Sequence, residues 1–60
     1  MKKSFPKLNV TLELVDDTIM VRETSTSMLM KAKSFPVSEV VDKYNHLVKV
    51  YSDKEARAQK

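Results

Sequence analysis

The chain has 60 residues, 42% of them apolar and 32% charged, with a net charge of +3 and neither glycine nor cysteine. A chain this short makes one domain at most and buries only about 60% of the surface that its unfolded form exposes. The missing cysteine excludes disulfides and thiolate metal sites, and the missing glycine excludes phosphate loops, dinucleotide fingerprints and nucleophile elbows.

The composition is that of a folded domain rather than a disordered one. Residues 1–33 carry six basic and four acidic side chains, and residues 34–60 carry five and four. Charge is therefore mixed along the chain, which permits nucleic-acid contact without arguing for it. No apolar run approaches the roughly 20 residues of a membrane span, and Met1-Lys2-Lys3-Ser4-Phe5-Pro6 lacks the apolar stretch of a signal peptide. A cytoplasmic location is the expectation.

Residues 1–6 read as a flexible arm, because Pro6 favours an extended entry and the lysines favour water. From Lys7 to Val15, Leu8, Val10, Leu12 and Leu14 alternate with Lys7, Asn9, Thr11 and Glu13. A period of two over this length predicts a strand with one buried face. Asp16-Asp17 then reads as a two-residue turn, since aspartate tolerates turn conformations and hydrogen-bonds its own backbone. A metal or acid–base role for this pair lacks a third ligand nearby in sequence. Residues 18–24 make a second strand, and a two-residue loop sets Leu14 against Ile19 and Leu12 against Val21 on the apolar face.

Thr24–Ser27 is a polar break. Residues 27–33 predict a third strand, although Met, Leu, Ala and Lys are also good helix formers. With Ser25-Thr26 as the loop, Met28, Met30 and Ala32 join the core face, while Leu29, Lys31 and Lys33 point outward. Arg22 then lies across from Leu29 and Met20 across from Lys31. Pro36 suits the first turn of a helix. After it, Val37, Val40, Val41, Tyr44, Leu47, Val48 and Tyr51 form an apolar stripe of helical period. Glu39 and Asp42 near its start, and Lys54 and Arg57 near its end, suit the helix dipole. The fold predicted is α+β: a three-stranded antiparallel meander (7–15, 18–24, 27–33) with one amphipathic helix over 36–57 on one face, and a frayed tail at 58–60.

His46 falls opposite the stripe on the wet side of the helix, where a catalytic histidine has no pocket. Tyr44 and Tyr51 fall on the inner face, where core packing outweighs base stacking. The enzyme reading therefore has nothing to stand on, and no cofactor or metal is expected.

The sheet's outer face remains. Met20 and Leu29 make an apolar spot framed by Arg22 and Lys31, and methionine suits adaptable interfaces. These four residues are the candidate partner-binding set, with Met20 and Leu29 as anchors and Arg22 and Lys31 steering an acidic partner. The function expected is a small non-enzymatic protein-binding module. It would act as a homo-oligomer or by steric binding to another protein, by apolar contact or strand addition. The alternative is a small nucleic-acid-binding or transcription-regulating protein that uses the same face with Lys2, Lys3, Lys7 and Lys33. In size and style the chain is similar to the small accessory proteins that phages and mobile genetic elements encode to bind host proteins. No motif carries that likeness, and it assigns no residue a role.

Overall fold

The computed structural model describes residues 1–58 and shows an α+β fold in which four antiparallel strands are followed by one helix. The strands are β1 (Lys2–Phe5), β2 (Val10–Val15), β3 (Thr18–Glu23) and β4 (Leu29–Ser34), paired in the order β1-β2-β3-β4. The helix α1 (Val37–Ala58) follows directly after Phe35-Pro36. Pro36 lacks an N–H but supplies its carbonyl, which accepts from the amides of Glu39 at 2.8 Å and Val40 at 3.0 Å and so opens the first turn.

The central hairpin follows the apolar alternation. Leu14 faces Ile19, Leu12 faces Val21 and Val15 faces Thr18 across the Asp16-Asp17 turn. Asp16 takes the left-handed conformation that this turn needs (φ 55°), as Asn9 (φ 56°) and Ser27 (φ 62°) do in the other two connections. Without glycine, the chain uses short polar side chains where the backbone must turn left.

Leu12 and Ile19 from the sheet, Val40 and Tyr44 from α1, and Phe5 from β1 form the buried core. Leu47, Val48, Tyr51 and Leu8 pack around it. Tyr51 lies against Phe5 with ring centroids 5.7 Å apart. The helix packs on β1, β2 and β3 and leaves β4 largely uncovered, so all six β4 residues are exposed.

Several expectations are corrected here. The flexible arm of residues 1–6 is instead strand β1, paired to β2 from Lys2↔Glu13 to Phe5↔Val10, and Phe5 is 1% exposed. The sheet therefore has four strands rather than three. Its second strand begins at Val10 rather than Lys7, because residues 6–9 form the connecting turn.

A further correction concerns β4. A bulge opposite Val21/Arg22 inserts Met30 as an extra residue between Leu29, which faces Arg22, and Lys31, which faces Val21. One inserted residue inverts every face beyond it. Ala32 thus lies outward against Met20, where Lys31 was expected, while Lys31 and Lys33 lie on the helix side against Val21 and Ile19. Met28 and Met30, expected in the core, are 66% and 52% exposed. The stripe of α1 is also narrower than its sequence suggests, since Val37 and Val41 stay in solvent. The helix runs one residue beyond the expected end at Arg57; of the expected frayed tail, residues 59–60 lie outside the described residues.

Candidate docking surface

The four candidate partner-binding residues divide between the two faces of the sheet. Met20, Arg22 and Leu29 share the outer face, as expected, and Lys31 is on the other. Arg22 is already engaged. Its Nε donates to Glu13 Oε1 at 3.3 Å, its Nη1 to the Ser27 carbonyl at 3.2 Å, and its Nη2 approaches Met20 Sδ at 3.7 Å. Three partners engage the guanidinium, one of them a carboxylate, so it offers less charge to a partner than its sequence position suggested. The apolar part of this face is Leu29, half exposed, beside the half-buried Met20.

Toward β1 the outer face is polar, with a recess of 150 Å³ lined by Ser4, Thr11, Arg22 and Thr24 among others. Thr11, 5% exposed, stands between Ser4 Oγ at 3.2 Å and Thr24 Oγ1 at 2.8 Å. This hydroxyl chain satisfies the buried group locally. Among the described residues, no buried side-chain nitrogen or oxygen lacks a partner.

On the helix side, the incomplete cover leaves a groove of 210 Å³ between α1 and β4. Ile19 and Val21 floor it, Leu47 and Tyr51 wall it from the helix, and Phe35 contributes from the connection between β4 and α1. Lys31 and Lys33 line its strand side. Lys33 Nζ lies 5.4 Å from the Phe35 ring centroid, and Lys54 Nζ lies 5.2 Å from that of Tyr51, both within cation–π range. The groove is thus apolar at its base and cationic at its rim. Its aromatic and aliphatic members escaped the sequence reading because each sits on a face assigned to core. The usable signal was the width of a four-stranded sheet against a single helix, and that width was hidden with β1.

The lysines of the nucleic-acid alternative do not converge. Lys2 is on the outer face with Glu13, whereas Lys3 is on the helix side with Leu12. Lys7 is in the β1–β2 turn, where its backbone N–H donates to Glu55 Oε2 at 3.0 Å, and Lys33 is across the sheet on β4. His46 is exposed on α1 near Glu39, Asp42 and Lys43. Among the described residues, no three His, Asp or Glu side chains gather as metal ligands, and no helix is long and apolar enough to cross a membrane.

No family model, no curated protein and no solved structure matches the chain. The surface must therefore be read from its own chemistry.

Proposed function

We propose that the protein is a small non-enzymatic binding module whose docking region is the β4 side of the sheet. The observation that carries this reading is the lack of cover on β4: every residue of the strand is exposed, and Met28, Leu29 and Met30 form a continuous exposed apolar run. Soluble domains seldom leave such a run beside an open groove unless a partner covers it. The scatter of Lys2, Lys3, Lys7 and Lys33 over both faces gives the nucleic-acid alternative less support, since phosphate tracking needs cations along one path.

The test is site-specific photo-crosslinking in the native cells. Benzoylphenylalanine at Met30 should yield a discrete adduct with a protein, and the same group at exposed His46 should not. Two double variants locate the contact. Met20→Glu with Leu29→Glu disables the outer face, and Lys31→Glu with Lys33→Glu disables the groove rim. Absence of any adduct at position 30 removes the reading.

A further inference from the structure

We infer that the groove between α1 and β4 is a lane for one added helix, supplied by a partner as an amphipathic segment with acidic residues flanking its apolar stripe. The inference rests on the binding-module reading and specifies the partner's chemistry.

The first argument is width. Neighbouring strands lie about 4.8 Å apart, so β4 lies roughly 9–10 Å from β2. The helix α1 is seated over β1 to β3, so β2 marks the middle of its cover. Packed helices have axes about 8–10 Å apart. A second helix beside α1 would therefore lie toward the β4 edge, with its stripe on Ile19 and Val21 of β3 below and on Leu47 and Tyr51 beside, and with Lys31 and Lys33 of β4 along its outer flank.

The second argument is charge. Lys31 and Lys33 line the strand side of the lane, and Lys54 Nζ lies 5.2 Å from the ring of Tyr51, which walls the lane from the helix. Among the described residues, no carboxylate lines the groove. Lysine stems extend over apolar surface while their ammonium groups stay in water. They suit a guest whose carboxylates emerge on both flanks of an apolar seam.

A second copy of the chain is a poor guest. Among the described residues its one helix already spends its apolar stripe on its own sheet, and the exposed positions of that helix mix Glu39, Asp42 and Asp53 with Lys43 and Lys49. Joining two copies edge to edge through β4 would run through the Met30 bulge and its lysines, both of which oppose strand pairing, and joining them through the opposite edge, β1, would leave the groove open.

The experiment is fluorescence-anisotropy titration of the full chain with two synthetic peptides of about 18 residues, or five turns. Both carry leucine at helical spacing, one flanked by glutamates and the other by lysines. The acidic peptide should bind about tenfold more tightly, the scale of a few exposed ion pairs acting together. Lys31→Glu with Lys33→Glu should invert the preference, and Lys31→Gln with Lys33→Gln should reduce it to the share that Lys54 supplies; circular dichroism checks that both variants remain folded. Amide shifts on binding should centre on Ile19, Val21 and Leu47. Equal binding of both peptides, shifts centred on Met20 and Ala32, or equally tight binding of a labelled single-stranded DNA would each overturn the inference. The crosslink at position 30 would survive those outcomes, so failure here is separable from failure of the binding-module reading.

Discussion

Tyr44 reaches from the helix into the sheet and donates its hydroxyl to the Leu12 carbonyl at 3.4 Å. Leu12 is fully buried and Tyr44 is 3% exposed, so the bond ties the two layers together inside the core. Burial, and after it the negative charge of Glu13, raises the Tyr44 phenol above its ordinary value of 10.

That shift has a signed consequence. The unfolded phenol ionises near pH 10 and the folded one ionises higher. The contribution to stability is therefore fully present below about pH 10 and is lost as pH rises through the folded value. Tyr44→Phe removes a long hydrogen bond and should cost about 0.5–1 kcal/mol at pH 7. Urea unfolding from pH 7 to pH 11 should show the wild type losing more stability than the variant above pH 10. Parallel pH profiles would show that Tyr44 carries no linked proton.

The central hairpin and the helix were legible because each repeats one signal. Leu12 and Leu14 mark a period of two, and Val40, Tyr44, Leu47 and Tyr51 mark a period near 3.6. Strand β1 was not legible. In Lys2-Lys3-Ser4-Phe5 only Phe5 is apolar and buried, and the strand exists because β2 offers it an edge. The β4 register was misread because Met30 bulges, and nothing local marks a methionine in Met28-Leu29-Met30 as the extra residue. The candidate site inherited both errors. Leu29 and Arg22 were correctly paired before the bulge, Lys31 was placed on the wrong face after it, and the groove could not be seen without the fourth strand.

If β1 is integral, Phe5 is among the costliest side chains to lose. Phe5→Ala removes a ring that packs with Tyr51 and the core, a change of about 3–5 kcal/mol. A chain of this length holds only about 3–9 kcal/mol in total, at roughly 0.05–0.15 kcal/mol per residue. The variant should be largely unfolded by circular dichroism at 25 °C. A loss below about 1 kcal/mol would return residues 1–6 to the status of an arm.

The three left-handed residues differ in what their side chains contribute. Asn9 Oδ1 accepts from the Ser25 amide at 3.0 Å and its Nδ2 donates to Ser25 Oγ at 3.1 Å, bracing two loops. Among the described residues, Ser27 has no side-chain hydrogen bond; its backbone N–H donates to the Glu23 carbonyl and its carbonyl accepts from Arg22. Ser27→Gly therefore keeps both backbone contacts and relieves the left-handed strain, which outweighs the added freedom of the unfolded chain. It should stabilise by about 0.5–1 kcal/mol, whereas Asn9→Gly should destabilise. Thermal or urea unfolding of the two variants gives the order, and a stabilised Asn9→Gly would contradict the bracing.

The bulge and the lysines of β4 act together as protection of an open edge. An exposed strand invites another strand, and a bulge or an edge lysine opposes the pairing. Deleting Met30 would leave Leu29 facing Arg22 and Lys31 facing Val21 with no extra residue between them, a straight edge six residues long counting Met28. With Lys31→Thr and Lys33→Thr added, that edge would also be uncharged and rich in strand-forming residues. The combined variant should associate in sedimentation velocity at concentrations where the wild type and the Lys31→Thr, Lys33→Thr variant do not. If the wild type itself joins through β4 and the deletion weakens that association, the bulge is part of an interface rather than a guard, and the lane beside α1 would open onto a second copy.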